Sequence, residues 1–387
     1  MPANGHALLS ASSAHRWLEC PPSVHLTADL PDTAGSAAAE GTLAHRIVEE
    51  RLDSIIESGK WPKKASARLR MDELYRPVME EHADTFVAYV MALHDQLEET
   101  CPDVLLMSEQ RLDFSRWVPD GFGTGDALVI GDGVLHVIDY KYGKGVPVSA
   151  IDNPQLRLYG LGALEAFDAL YNIREVRMHI VQPRLDDQSD EAMTADELRR
   201  WADEYVAPRA KLAMNGEGDM NPGDWCRFCK VKATCRARAE KQLALARYEF
   251  QSPLLLTPEE IGDILGRVDE LSKWAKSVKD YALQTAVSNG EHFPGWKLVR
   301  GRANRKLVDD GDVADLLMAA GYTAADIFSL KGLTDLEELV GKKKLAEILG
   351  DRIVKPEGRP TLAPSADKRR EITGDSAADD FADEYKD

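Results

Sequence analysis

Residues 134–141, VLHVIDYK, are an apolar run of β type that ends in charged side chains. Side chains alternate between the two faces of a strand, so Asp139 and Lys141 share one face while Tyr140 points to the other. A carboxylate and an ammonium group are therefore expected side by side where this strand ends. The pattern D-x-K alone does not identify a site, because a surface salt bridge has the same spacing.

Turn residues separate this run from other β-type runs on both sides. Pro119-Asp120-Gly121 and Gly131-Asp132-Gly133 are typical of hairpin turns. They divide the runs VLLMSEQRLDF (104–114), GTGDALVI (123–130) and VLHVIDYKYG (134–143), and VRMHIVQPR (176–184) favours a further strand. Helical spacing of apolar residues occurs over 37–56, 70–97 and 153–166. Helices and strands that alternate in this way predict an α/β fold with a mixed central sheet flanked by helices.

The remainder of the chain favours helices. Residues 194–214 have helical character, and the cysteine-rich turn WCRFCKVKATC (225–235) and a basic helical stretch follow. Thr257-Pro258 predicts the start of a long helix that Asn289-Gly290 ends. A tail rich in Pro, Ser, Ala and Asp favours disorder. We predict three regions: a first domain over 1–248, a mainly helical C-terminal domain over 252–354 and an acidic disordered tail over 355–387.

Composition limits the classes of function. The formal charge of −18 argues against coating nucleic acid through a global positive field, although a local basic groove remains compatible with it. No apolar stretch approaches the roughly 20 residues that a membrane span requires, so no membrane partner is expected. The N-terminus lacks the basic flank and apolar segment of a secretory signal, which predicts a cytoplasmic protein with reduced cysteines.

Asp126 begins the strand that neighbours the D-x-K strand. Mg²⁺ and Mn²⁺ prefer oxygen ligands, so two aspartates from adjacent strands suit a site for phosphodiester hydrolysis, with Lys141 orienting or deprotonating the attacking water. Gln155 and Tyr159 are four residues apart and share one face of the next predicted helix, and His45 lies in an upstream helix. These neighbouring residues favour a catalytic metal site over an isolated salt bridge between Asp139 and Lys141.

The ordered segments GTLAHRIVE (41–49), GTGDALVI, VIDYKYG (137–143) and QLRLY (155–159) resemble the motifs of RecB- and Cas4-like nucleases of the PD-(D/E)XK superfamily. That resemblance implies a restriction-endonuclease-like core and a Mg²⁺- or Mn²⁺-dependent DNA nuclease. It assigns the metal to His45, Asp126, Asp139 and the Tyr140 carbonyl, water activation to Lys141, and support or DNA contact to Gln155 and Tyr159. The longer stretch of sequence over roughly residues 8–240 also resembles an uncharacterised phage and bacterial family, DUF2800.

Cysteine spacing predicts a second site. Cys226, Cys229 and Cys235 form C-x₂-C-x₅-C, Cys20 lies far upstream, and Cys101 stands apart. Four thiolates suit either Zn²⁺ or a [4Fe–4S] cluster. A ligand from the far end of the domain closes a loop of about 200 residues, which favours a staple over a zinc finger. The resemblance to the iron–sulfur nucleases of the RecB-like group implies the [4Fe–4S] cluster, with Zn²⁺ as the alternative.

The segment PGWKLVRGRANRK (294–306) is a candidate DNA contact, because its basic residues are Lys297, Arg300, Arg302, Arg305 and Lys306. The main hypothesis is an exonuclease that processes linear duplex ends or single strands in phage or bacterial recombination or repair. A single-strand annealing protein is a candidate partner. The alternatives are a non-catalytic DNA-binding or assembly module with a structural iron–sulfur or zinc site, and a zinc-stapled regulator. An intact histidine, aspartate and lysine set argues for the enzyme.

Overall fold

The computed structural model describes residues 7–31, 36–244, 257–299, 310–354 and 367. The strands are β1 (Leu105–Asp113), β2 (Phe122–Gly131), β3 (Val134–Tyr140), β4 (Glu175–Gln182) and β5 (Asp187–Thr194). The helices of the first 244 residues are α1 (Ala14–Glu19), α2 (Ser23–Ala28), α3 (Ser36–Ser58), α4 (Ala67–Arg70), α5 (Val78–Glu98), α6 (Pro154–Tyr171), α7 (Ala195–Trp201), α8 (Ala207–Asn215) and α9 (Arg236–Leu243). The helices that follow are α10 (Pro258–Asn289), α11 (Asp310–Ala319), α12 (Ala324–Ile327), α13 (Leu333–Val340) and α14 (Lys342–Leu349).

The five strands form one mixed sheet in the order β1-β2-β3-β4-β5. Neighbouring strands are antiparallel except β3 and β4, which are parallel and joined by α6. At the β2–β3 hairpin, Gly131 pairs with Val134 across Asp132 and Gly133, whose φ angles of 51° and 75° are those of a type I′ turn. The predicted α/β class with a mixed central sheet is confirmed.

Helices cover both faces of the sheet. Leu128 and Val137 pack against α6 and the N-terminal helices on one face, while Val129 and Ile138 pack against α3 and α5 on the other. Neighbouring residues of one strand thus enter opposite cores, as the alternation of strand side chains requires. Each large apolar side chain buried in this way stabilises the fold by roughly 1.5–3 kcal/mol. The sheet is therefore packed between helices on both faces, and this packing fixes the position of the end of β3.

One predicted helix differs from the structure, and one strand was not predicted. The expected helix over 70–97 is interrupted, because α4 ends at Arg70 and α5 begins only at Val78, directly after Pro77. Proline has no N–H and its ring clashes with the preceding turn, so it starts a helix more readily than it continues one. The edge strand β5 was not predicted, because its polar sequence DQSDEAMT carries no apolar alternation.

The C-terminal elements are helical, as predicted. Thr257 caps α10 by accepting from the backbone N–H of Glu260, whose side chain reaches back to the N–H of Thr257. The backbone N–H of Lys343, in α14, donates to Glu81 of α5 at 3.2 Å. The predicted domain boundary at 248–252 lies outside the described residues, as does the tail except for Asp367. No described helix combines the length and apolarity needed to cross a bilayer.

Candidate functional site

His45 and Asp126 meet although they come from α3 and β2. Nδ1 of His45 lies 3.1 Å from Oδ1 of Asp126, and Oδ2 of Asp126 accepts the backbone N–H of Tyr140 at 2.7 Å. With its proton on Nδ1, the imidazole donates to Asp126 and leaves Nε2 as the nitrogen able to bind a metal. The ring of His45 also packs edge-on against the ring of Tyr140, with centroids 5.3 Å apart.

Asp139, Lys141, Gln155 and Tyr159 form one hydrogen-bonded chain. Nζ of Lys141 lies 2.8 and 3.2 Å from the two carboxylate oxygens of Asp139 and donates to Oε1 of Gln155 at 3.1 Å. Nε2 of Gln155 donates to the Tyr159 hydroxyl oxygen at 3.0 Å and to Asp139 at 3.3 Å. Asp139 and Lys141 therefore share a face, as predicted from the alternation of strand side chains.

Local sequence places α6 against this carboxylate. The Asn153 side chain accepts from the backbone N–H groups of Gln155 and Leu156, and Pro154 occupies the first turn of the helix. This cap sets where the helix begins and so which residues face Asp139. Gly123 completes the fit from β2, because a Cβ at this position would lie 2.5 Å from Cε1 of Tyr159.

A third acidic residue, Glu109, joins the cluster and was not identified from the sequence. One oxygen of Glu109, one of Asp126 and one imidazole nitrogen of His45 all lie within 4.8 Å of one another. On β1, Glu109 stands opposite Asp126, between the pairs Ser108–Ala127 and Gln110–Gly125. Its only sequence signal is an acidic residue in a run of β type, which also fits a solvent-facing position.

Backbone strain marks the position of Glu109. Its φ is 44°, in the left-handed region that side-chain-bearing residues rarely adopt. Leu106 and Leu112 are an even number of residues apart, yet Leu106 packs on the α3 and α5 side of the sheet and Leu112 on the α6 side. The strand thus exchanges its faces at Glu109. Strain of this kind costs on the order of 1–3 kcal/mol and concentrates at functional sites.

Burial and charge shift the acid–base properties of the cluster. Burial raises the pKa of Asp139, although the Lys141 ammonium opposes that shift. Burial would lower the pKa of Lys141 and of His45, but the facing carboxylates Asp139 and Asp126 outweigh it and raise both. Burial, then the charge of Asp126, raises the pKa of Glu109 to about 7. Acidic groups so crowded and dehydrated favour a bound cation over further negative charge.

The four cysteines of the predicted second site converge on one small cavity. Cys20 ends α1, Cys226 and Cys229 belong to the turn after α8, and Cys235 precedes α9, and all four line the cavity. We call these four residues with the loop 224–235 the cysteine module. Nζ of Lys230 donates to the carbonyl of Leu30 at 2.6 Å, so this loop contacts the N-terminal segment directly.

No three of the four thiol sulfurs, which all belong to described residues, lie within 4.8 Å of one another. Thiolates around one Zn²⁺ stand about 3.8 Å apart, given Zn–S bonds of about 2.3 Å in a tetrahedron. Within the described residues, the potential ligand groups whose atoms all lie within 4.8 Å are His45–Glu109–Asp126 and His94–Asp95–Glu98, and the thiols are not among them. Four cysteine ligands suit either one Zn²⁺ ion or a [4Fe–4S] cluster.

Basic residues near the cysteines have structural contacts. Arg238 is 3% exposed, and its guanidinium contacts the Lys232 carbonyl and Glu270. Of the predicted basic segment, Lys297 is exposed in the chain after α10. Arg300, Arg302, Arg305 and Lys306 lie outside the described residues.

The fold and the two clusters define a class: an α/β protein whose central sheet carries a histidine, carboxylate and lysine cluster, with a separate four-cysteine site. The chain belongs to the family described as Protein of unknown function (DUF2800), which matches residues 6–370. The resemblance to DUF2800 is thereby confirmed. Among solved structures, the chain is similar to the one titled "Crystal structure of SSO0001", with 14% identity, 52% of this chain and 98% of that chain covered, and a TM-score of 0.22. This likeness is too distant to define a shared fold.

Proposed function

We propose that this protein is a Mg²⁺- or Mn²⁺-dependent DNA nuclease with a core of the PD-(D/E)XK type. The observation that carries the proposal is the contact network at the end of β3. There the Asp139 carboxylate and the Lys141 ammonium are held together by Gln155, and the His45–Asp126 pair lies on the adjacent strand and helix. A surface salt bridge does not require this support, since its partners are mobile and solvated.

The donor set fits a hard divalent cation. His45, Asp126 and Asp139 would hold it together with the Tyr140 carbonyl, and Glu109 adds a carboxylate that the motif comparison did not include. Oxygen-rich sites with one imidazole suit Mg²⁺ and Mn²⁺. When bound, such an ion supplies Lewis-acid stabilisation of the negative charge that develops on a phosphodiester during hydrolysis.

Lys141 is the residue that we assign to the attacking water. Its ammonium is held between Asp139 and Gln155, so it presents a positioned positive charge beside the carboxylates. A group held in this way orients water and stabilises developing negative charge on a nonbridging phosphate oxygen. Gln155 keeps Lys141 in place, and Tyr159 fixes Gln155 in turn through its hydroxyl.

We further propose that the cysteine module binds a [4Fe–4S] cluster that staples the N-terminal segment to the chain after α8. Four cysteines line one cavity, and the distant fourth ligand Cys20 and the resemblance to iron–sulfur nucleases favour iron–sulfur over Zn²⁺. Burial raises the pKa of the Cys226 and Cys229 thiols, so without a bound cation they remain protonated. Such a cluster would contribute folding free energy rather than chemistry at phosphorus.

The family resemblance supports exonuclease action on linear duplex ends or single strands in phage or bacterial recombination, with a single-strand annealing protein as a candidate partner. The basic residues 297–306 would guide the DNA strand. Their positive charge offers local phosphate contacts on a chain whose formal charge is −18.

The deciding experiment is digestion of end-labelled linear DNA by anaerobically purified protein with Mg²⁺, Mn²⁺ or a chelator. Wild-type protein should release labelled products only with metal, and Asp139→Ala should release none. Asp103→Ala, which alters an exposed aspartate before β1, is the matched control and should cleave like wild type. DNA binding without any cleavage by wild-type protein would instead support a non-catalytic DNA-binding module.

A further inference from the structure

A cleft of about 1180 Å³ links the candidate active site to the cysteine module. Lys141 and Gln155 line it from the site, and Trp225 and Phe228 line it from the cysteine loop. Three serines of the N-terminal segment, Ser10, Ser12 and Ser13, line the same cleft. A ligand in this cleft would therefore contact both sites at once.

The cleft has a charge opposite to that of the whole chain. Five lysine or arginine side chains line it against three aspartates or glutamates, whereas the full sequence carries a formal charge of −18. A groove with net positive charge attracts polyanions locally, even though the net negative charge of the whole protein repels them. The excess of only two positive charges also means that charge alone does not account for tight binding.

Phe228 has an unusual position within the cysteine loop. Cys226 and Cys229 are 8% and 7% exposed, while Phe228 between them is 77% exposed. The loop therefore turns its thiols inward and its aromatic ring into the cleft. The guanidinium carbon of Arg227 lies 5.6 Å from the centroid of that ring. An exposed aromatic ring beside a cation is the arrangement on which unpaired nucleobases stack in single-strand binding proteins.

We propose that Phe228, with Arg227, forms a base-stacking subsite that holds an unpaired nucleobase of a DNA strand whose backbone runs through the cleft toward Lys141. This inference rests on the proposed nuclease function for the direction of the strand. It selects a single-stranded substrate, because base faces inside a duplex are covered by their neighbours and cannot stack on a protein ring.

The test measures binding without cleavage, using the full-length protein in chelator and a short fluorescently labelled single-stranded DNA. Phe228→Ala should weaken binding by about tenfold, within the range of one base stack. The slope of affinity against salt should stay the same, because no charge is lost. Phe228→Trp should bind like wild type. Phe328→Ala, which removes an aromatic ring 60% exposed and outside the cleft lining, is the matched control.

A second measurement does not depend on any variant folding. A 2-aminopurine base placed along the single strand should lose fluorescence on binding to wild-type protein, because stacking quenches it. The stacking subsite is overturned if no base position shows quenching. It is also overturned if Phe228→Ala keeps the wild-type melting midpoint and binds the single strand with wild-type affinity. Equal affinity for blunt duplex and single strand overturns it as well.

The outcomes separate this inference from the proposed function. Cleavage of DNA with unaltered binding by Phe228→Ala would overturn the subsite and leave the nuclease in place. Single-strand binding with quenching, but without metal-dependent cleavage, would support the subsite and contradict the nuclease.

Discussion

The polar cluster and the cysteine module are both assembled from distant parts of the chain, but they differ in how their polar groups are satisfied. By the polar cluster we mean His45, Glu109, Asp126, Asp139 and Lys141. In the polar cluster, Lys141 and His45 face the carboxylates Asp139 and Asp126, so much of the charge is compensated by protein groups. In the cysteine module, four thiols share a cavity and burial raises the pKa of Cys226 and Cys229.

The difference indicates what each region needs in order to fold. Ion pairs and hydrogen bonds hold the polar cluster on a sheet that is buried on both faces, so we expect its geometry to depend little on a bound metal. Thiols form weak hydrogen bonds, and the charges of Arg238 and Arg16 only partly offset the burial of Cys226 and Cys229, so we expect the arrangement of the thiols to depend on the proposed cluster. Substitutions should therefore affect activity in the first region and stability in the second.

The largest effect is expected from Cys229→Ser. Loss of one of the four ligands of the proposed [4Fe–4S] cluster should release the cluster, remove its brown colour and lower the unfolding midpoint by roughly 10 °C or more. Cys101→Ser is the matched control, since Cys101 lies outside the module. Iron content and calorimetry measure both outcomes. Unchanged iron content and an unchanged melting midpoint in Cys229→Ser would mean that the stability of the protein does not depend on a group bound by the cysteine module.

Lys141→Ala should reduce activity while leaving stability and metal binding largely intact. The single-turnover rate on linear DNA should fall by about 10²-fold or more, the scale of a positioned electrostatic or acid–base group. Asp139→Ala should lower both the rate and the affinity for Mg²⁺ measured by titration calorimetry. Lys144→Ala, which removes an exposed lysine from the following loop, is the control. If Lys141→Ala cleaves DNA at the wild-type rate, Asp139 and Lys141 form only a salt bridge and Lys141 has no role in catalysis.

Glu109→Gln tests whether the residue that only the structure identified belongs to the metal site. The amide keeps the shape but loses the charge, so the Mg²⁺ concentration for half-maximal cleavage should rise by about tenfold. Glu57→Gln, on the exposed end of α3, is the control. A metal titration curve for Glu109→Gln that coincides with the wild-type curve would place Glu109 outside the site.

The smallest effect concerns the sheet that supports the polar cluster. His136 and His179 stack within it, with Nδ1 and Nε2 2.9 Å apart, and burial lowers their pKa values to about 3 and about 4. The unfolded chain takes up protons near pH 6.5 whereas the folded sheet does not, so stability falls as the pH drops from 6.5 toward 4.

His136→Leu removes one of these two groups. Between pH 6.5 and 5.5 it should lose about 1 kcal/mol less stability than wild type, because one fewer proton is taken up on unfolding. Denaturant unfolding at several pH values measures this slope. Equal slopes for the two proteins would mean that His136 is not buried in its neutral form.

Much of the fold follows from local patterns. Apolar alternation and Gly-Asp-Gly turns predicted β1 to β4, helical spacing over 153–166 predicted α6, and Thr257-Pro258 marked the start of α10. The edge strand β5 and the break before α5 were missed. A polar edge strand is defined by pairing with its neighbour and not by its own sequence pattern. Whether a helix starts after Pro77 or continues through it depends on whether the surrounding structure tolerates the hydrogen bond that proline cannot donate.

By itself, the sequence determined the alternation of elements, the shared face of Asp139 and Lys141, and the grouping of three cysteines, because all of these depend on spacing along one chain segment. Only the tertiary structure decided that Glu109 faces Asp126, that Cys20 reaches the other thiols, and that Phe228 lines the same cleft as Lys141. These contacts join residues far apart in sequence, and they arise from strand register, backbone strain and helix packing, which no local pattern encodes.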